Sequence, residues 1–147
     1  MSSQTRTFLL FWLPAFAWAA LIFFLSGGAF SSVQTGRFLR PFLEWLFGEI
    51  SEARFTLIQF LVRKTAHLVV YATLSALWFR AQRGPRLGWQ ARWALLALLV
   101  SMLVALGDEF HQSLVPSRGG SPWDVLLDSL GALLAQAAIF RFARRSV

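Results

Sequence analysis

The chain has 147 residues, of which 56% are hydrophobic and 14% are charged, against roughly 25% charged residues in an ordinary soluble domain. So few polar side chains cannot cover a water-facing surface, which argues against a soluble monomer. The sequence contains no Cys, so disulfides, thiolate metal sites and cysteine nucleophiles are excluded. Its formal net charge of +7 would suit nucleic-acid binding, and the positions of the basic residues decide that question.

Four hydrophobic segments follow one another along the chain, at residues 8–25, about 55–79, 93 to about 112, and 123–140. Each is close to the ~20 residues that a helix needs to cross a ~30 Å hydrocarbon layer. A cleavable signal peptide is the alternative for the first segment, but its apolar core would normally have only about 7 to 15 residues. We therefore predict an all-α integral membrane protein, a four-helix bundle forming a single domain over residues 1–147.

Residues 37–47 lie between the first two segments and have a helical apolar pattern. Phe38, Phe42 and Leu46 are spaced i, i+4 and i+8, which predicts an amphipathic helix with Pro41 in its first turn. This helix either lies in the membrane interface or packs on the bundle as a hydrophobic lid. The pattern fits both arrangements equally well.

The basic residues collect on one side of this arrangement. Four crossings put both termini and the loop at residues 80–92 on the same side. That side carries eight arginines and no acidic residue, namely Arg6, Arg80, Arg83, Arg86, Arg92, Arg141, Arg144 and Arg145. The positive-inside rule places these residues and both termini in the cytoplasm, and the amphipathic helix on the exoplasmic side. The basic charge thus indicates topology, and we expect no nucleic-acid partner.

Ionisable residues in the last three segments occur at one depth. Counted from the nearest cytoplasmic arginine at ~1.5 Å per residue, Lys64 and Asp108 both lie at ~24 Å and Asp124 lies at ~26 Å. His67 and Asp128 each lie at ~20 Å. Opposite charges on three helices therefore reach matching heights in the outer half of the membrane, where they can pair.

The faces of the helices agree with these depths. Lys64, His67 and Tyr71 share one stripe of the second segment at spacing i, i+3 and i+7. Asp128 and Gly131 share a stripe of the fourth segment with the aspartate at position 124, and the glycine would let another backbone or a ligand approach closely.

The third segment ends in a polar run. Asp108 and Glu109 lie about 100° apart around a helix, so their side chains cannot both point to the same spot. Gln112 lies one turn further on, and Arg118 follows in the turn above the polar layer.

These polar motifs resemble the VanZ-like family of small bacterial membrane proteins. The matching text is RKTAHLVVY at residues 63–71, DEFHQ at 108–112, PSR at 116–118 and DVLLDSLG at 124–131, so that the resemblance covers roughly residues 60–135. It implies that the recurrent polar residues of the family correspond to Lys64, His67, Tyr71, Asp108, Glu109, Gln112, Arg118 and Asp124. Asp128 departs from the family pattern, which more often has Asn there. The resemblance further implies a bacterial cytoplasmic-membrane protein, associated in its named members with resistance to teicoplanin, but no particular reaction.

Three kinds of function remain open on these residues. The layer is an ion-paired network that only fixes helix packing, or a binder, flippase or transporter, or an enzyme. In an enzyme, Lys64 and Arg118 would hold a phosphate or carboxylate. His67 would act as general acid or base, oriented by Asp108, Glu109 or Asp128. The catalytic candidates are Lys64, His67, Tyr71, Asp108, Glu109, Gln112, Arg118, Asp124 and Asp128.

The expected partners follow from the outward position of the layer. They are membrane lipid and a lipid-linked envelope intermediate or lipoglycopeptide, reached from the outer leaflet. We expect no cofactor and no metal, because the sequence lacks a His-Glu-x-x-His motif and the spacing of the DEFHQ motif is not a known zinc signature.

Overall fold

The computed structural model describes residues 2–145 of the chain, and this range forms five helices. Helix α1 runs without interruption through Ser3–Thr7, a π-helical stretch at Phe8–Trp12, and Leu13–Leu25. After a short 3₁₀ turn at Gly28–Phe30 the remaining helices are α2 (Ser32–Phe47), α3 (Glu52–Arg83), α4 (Ala91–Ser113) and α5 (Pro122–Arg145). The prediction of an all-α protein is confirmed over this range. The side chains of Arg144 and Arg145, two of the eight predicted cytoplasmic arginines, lie outside the described residues.

Three of the described helical regions are long and apolar enough to cross a membrane. They are Gln4–Leu25, Ala91–Ser113 and Pro122–Ala143, judged by length and composition. Helix α3 has 32 residues, which is more than sufficient length, but it is not among these candidates. Its charged and polar residues, including those of the RKTAHLVVY motif, lower its mean hydropathy. Three of the four predicted membrane helices are therefore supported in this way.

Helix α3 lies at the centre of the molecule and packs against α1, α4 and α5. Its buried side chains include Tyr71, Leu74, Ser75 and Phe79. The outer faces of the surrounding helices expose large apolar side chains such as Phe24, Leu95 and Leu133, whereas serines, acids and glutamines are buried. Polar groups inside and apolar groups outside are typical of a helix bundle surrounded by lipid.

The contact between α3 and α5 is stabilised by small and polar residues. Ala132 is buried, and the side-chain amide of Gln136 donates to the Ser75 carbonyl at 3.1 Å and to its hydroxyl at 2.8 Å. The interhelical hydrogen bonds satisfy polar groups that lipid could not. They lie two turns from the predicted polar layer and hold the two helices side by side.

Helix α2 is the predicted amphipathic helix, but it begins earlier than expected. The Ser31 side chain caps it by accepting from the backbone N–H of Gln34, so that Pro41 falls in the helix interior. The prediction that Pro41 lies in the first turn was therefore wrong. Phe38 and Trp45 are each 79% exposed, while Leu43 is buried, so one apolar face of α2 has no protein covering it.

Candidate functional site

Two ion pairs connect α3 to α5 in the predicted polar layer. Lys64 Nζ pairs with Asp124 Oδ1, and His67 Nδ1 lies 3.0 Å from Asp128 Oδ1. The partners are three residues apart on α3 and four apart on α5, which places both pairs on facing stripes of the two helices. The matching depths predicted that these charges could pair, and they do.

Gly131 lets the two helices approach closely enough for these pairs to form. A Cβ atom built on it would overlap the Leu68 carbonyl oxygen and lie 3.0 Å from Leu68 Cα. Leu68 follows His67 directly, and Gly131 lies one turn after Asp128. The prediction that this glycine permits close backbone approach is confirmed.

A second network joins α3, α4 and α1 around Asp108. The Tyr71 hydroxyl and the Gln112 side-chain amide both donate to Asp108 Oδ2, each at 3.1 Å. Arg118 Nη1 donates to Gln112 Oε1 at 3.3 Å, and Nη2 donates to the Leu25 carbonyl at 2.8 Å. The loop arginine thus ties the polar end of α4 to the end of α1.

Glu109 takes part in a different contact from that of its neighbour Asp108. Its Oε2 accepts from the backbone N–H of Ser121 at 2.7 Å, directly before the N-terminus of α5. A carboxylate in this position is stabilised by the helix dipole and by the free N–H groups of the first turn. The two acids therefore point to different partners, as their 100° separation predicts.

A cavity of about 210 Å³ opens beside these networks, between α1, α2 and α3. Its apolar wall includes Ile22, Leu25, Leu39, Val62 and Val70, and its polar wall includes Arg63, His67, Tyr71, Asp108 and Arg118. Four of the nine predicted site residues therefore line the cavity. The other five, which are Lys64, Glu109, Gln112, Asp124 and Asp128, form the hydrogen-bonded network behind it.

Arg63 is a cavity residue that is missing from the nine predicted candidates. Its neighbour Lys64 pairs with α5, and the 100° turn between them directs Arg63 to another side of α3, where its Nη1 donates to the Phe30 carbonyl at 3.4 Å. Burial lowers the pKa of Arg118 from its ordinary value, and the nearby positive charge of Arg63 lowers it further. Two arginine side chains therefore line the cavity.

The arrangement offers two kinds of chemistry. The two guanidinium groups can bind a phosphate or carboxylate, and His67, held by Asp128 at the cavity wall, can donate or accept a proton. Two acidic groupings also have the spacing of metal ligands, with one ligand atom per residue all within 4.8 Å of one another. One consists of His67, Glu109 and Asp124, and the other of Asp108, Glu109 and Asp128.

Comparison with known proteins adds the family. No curated protein and no solved structure matches the chain. A family model described as VanZ/LLP1 matches residues 11–144, which is more than nine-tenths of the 147 residues. The match extends beyond the polar motifs into α1, from residue 11, and with the candidate membrane helices it makes this a multi-pass membrane protein. The resemblance seen in the polar motifs is thus confirmed, and the chain belongs to the VanZ/LLP1 family.

Proposed function

We propose that the protein binds an anionic amphiphile, a cell-envelope lipid or lipid-linked intermediate, from the outer leaflet of the bacterial cytoplasmic membrane. The observation that carries the proposal is the cavity itself, because its lining combines two arginine side chains with an apolar wall from α1, α2 and α3. The anionic headgroup binds between Arg63 and Arg118. The ligand's hydrocarbon lies along the side chains of Ile22, Leu39 and Val62.

The size of the cavity suits part of a lipid. Its volume of about 210 Å³ is below the roughly 300–1,000 Å³ of pockets that enclose drug-sized ligands. The ligand therefore places its headgroup and the first part of a chain inside the protein, while the remainder stays in the bilayer. The lipid-exposed surfaces of α1 and α2 beside the cavity support this mode of entry.

The proposed orientation follows from the positions of charge. Helix α3 crosses the membrane in addition to the three candidate helices, because α1, α4 and α5 pack around it and cover its polar middle. Arg80 and Arg83 at its C-terminal end, with the other arginines of that side, put both termini in the cytoplasm. The cavity then opens toward the outer leaflet, and the aromatic side chains of α2 lie in the exoplasmic interface.

Catalysis on the bound lipid is the second candidate function. It is favoured by the His67–Asp128 pair at the polar wall. Because Nδ1 bonds to Asp128, Nε2 is the ring nitrogen left to exchange a proton with a ligand. Envelope lipids extracted from cells with and without the protein distinguish the two functions. A chemically altered lipid supports catalysis, and unaltered lipid with a changed distribution between leaflets supports transport.

Lipid binding by purified protein tests the main proposal. We expect the wild type to retain anionic phospholipid over zwitterionic phospholipid in native mass spectrometry. Arg63→Gln should lose that preference by about tenfold, since one charge-assisted hydrogen-bond partner is worth roughly 1.5–3 kcal/mol. Arg37→Gln is the matched control, because Arg37 lies on the exposed surface of α2 and does not line this cavity. Equal lipid binding by Arg63→Gln and the control would reject the proposal.

Glycopeptide resistance is a separate consequence to measure. If a lipid-linked wall precursor or the drug itself is the ligand, cells expressing the protein should tolerate more teicoplanin than cells expressing Arg63→Gln. Membrane abundance of both proteins, measured by immunoblot, must be equal for the comparison to count. Equal drug tolerance at equal abundance would remove both the wall precursor and the lipoglycopeptide and leave other envelope lipids as the ligand class.

A further inference from the structure

Three carboxylates from two helices meet in the interior of the bundle. Asp108 and Glu109 come from the end of α4 and Asp128 from the first turns of α5. Their exposures are 3%, 5% and 0%, and one oxygen from each lies within 4.8 Å of the others. Three acids so close together and so deeply buried repel one another strongly unless a cation or protons neutralise them.

Each of these carboxylates uses one oxygen in a hydrogen bond to the protein. Asp108 Oδ2 accepts from Tyr71 and Gln112, Glu109 Oε2 accepts from Ser121, and Asp128 Oδ1 contacts His67. At metal sites, hydrogen bonds from outer-shell groups orient the ligating carboxylates in the same way.

The second oxygen of each carboxylate has no such partner. Asp108 Oδ1, Glu109 Oε1 and Asp128 Oδ2 are buried, and none makes a hydrogen bond within the described part of the chain. Buried acceptors without partners are uncommon in folded proteins because they have lost water and gained nothing in return. All three belong to acids of one cluster, which points to a ligand that accepts electron pairs from these acids.

His67 faces only one of the three acids, through Oδ1 of Asp128, and the other neighbouring basic side chains bond elsewhere. Lys64 is paired with Asp124, and Arg118 donates to Gln112 and to the Leu25 carbonyl. From this geometry we propose that Asp108, Glu109 and Asp128 together bind one hard divalent cation. Three carboxylate oxygens are the ligand set of Mg²⁺, Mn²⁺ or Ca²⁺ rather than of a soft metal.

The oxygens are close enough together to share one ion. They lie within 4.8 Å of one another, which is no more than the ~4.8 Å between oxygens on opposite sides of Ca²⁺ at ~2.4 Å from the ion. Asp108 also lines the cavity, so the cation lies at its inner end. This site stands independently of the lipid proposal, because it depends on the buried acids and not on Arg63.

Mn²⁺ binding to the purified full-length protein tests the proposal. After removal of bound metal with EDTA, a Mn²⁺ titration followed by electron paramagnetic resonance should give about one bound ion per chain, displaced by excess Mg²⁺ or Ca²⁺. Asp128→Asn keeps the side-chain size and should weaken Mn²⁺ binding by more than about tenfold, the lower limit for loss of even an outer-shell partner. Glu49→Gln, at an exposed acid after α2, is the control and should bind Mn²⁺ as the wild type does.

The variants must elute as the wild type does in size-exclusion chromatography. If Asp128→Asn does not fold, the wild-type titration decides alone, since an absence of saturable Mn²⁺ binding overturns the site. A wild type that binds Zn²⁺ but not Mn²⁺ also overturns it, in favour of the grouping that contains His67. Saturable Mn²⁺ binding without any preference for anionic lipid would reject the lipid pocket and keep the cation site.

Discussion

Replacing Gly131 by Ala tests the close contact on which the ion pairs between α3 and α5 depend. The added Cβ overlaps the Leu68 carbonyl oxygen and lies 3.0 Å from Leu68 Cα, where ordinary Cβ contacts are 3.4–4 Å. The obstacle is backbone, so no side-chain rotation relieves it and the helices must separate. Such overpacking costs about 1–3 kcal/mol, while Ala gains roughly 0.5–1 kcal/mol over Gly within a helix. Taking the middle of each range, we expect a net loss of about 1 kcal/mol in the free energy of unfolding.

Thermal unfolding in one detergent, followed by tryptophan fluorescence, measures this loss. For a chain of this size a change of 1 kcal/mol shifts Tm by about 2–4 °C, so Gly131→Ala should unfold at a Tm lower by roughly 2–4 °C. Gly119→Ala is the matched control, because a Cβ there meets nothing within 4 Å. If Gly131→Ala is as stable as this control or more so, helix propensity outweighs the contact and the reasoning about close approach is wrong.

Three further predictions concern topology and packing. The absence of natural Cys permits single-cysteine labelling with a membrane-impermeant maleimide. In intact cells the reagent should modify Glu49→Cys, and it should modify Leu87→Cys, at a position that is 92% exposed, only after the cells are lysed. The reverse labelling pattern would contradict the proposed orientation of the protein in the membrane. Gln136→Met should lower the free energy of unfolding by about 0.6–1.7 kcal/mol, the range for interhelical hydrogen bonds in membranes, as measured by Tm, and an unchanged Tm would contradict this. Lys64→Met should lower the free energy of unfolding by about 1–3 kcal/mol, because it leaves Asp124 without its cation. The double variant Lys64→Met with Asp124→Leu should recover most of that loss in the same assay. An equal loss in the single and double variants would show that the broken pair is not the cause.

The polar layer could be predicted because a helix has a fixed rise and a fixed turn per residue. These two constants place His67 level with Asp128 and Lys64 near the level of Asp124, and they place the residues of each helix on one stripe. They place Asp108 level with Lys64 as well, so the choice of Asp124 as its partner depends on how the helices pack. The same constants explain why Asp108 and its neighbour in sequence have different partners.

The cavity could not be predicted in this way, since it depends on space left by helices that are distant in sequence. Leu39 and Ile22 form its walls through the packing of α2 and α1, and Arg118 reaches the Leu25 carbonyl across 93 residues of chain. Arg63 is a cavity residue only because those two helices lie beside it. The start of α2 was also misjudged, because the cap at Ser31 lies six residues before the apolar pattern begins.

The two ion pairs are three residues apart on α3 and four residues apart on α5, and this spacing restricts how the two helices can move. If α5 slides by one residue along α3, it moves ~1.5 Å and must also rotate by 100° for its backbone to occupy an equivalent position. This rotation moves both aspartates away from their partners at the same time. Neither pair can therefore exchange partners while the other remains formed. Helices α3 and α5 are accordingly held in one register by two contacts that must break together.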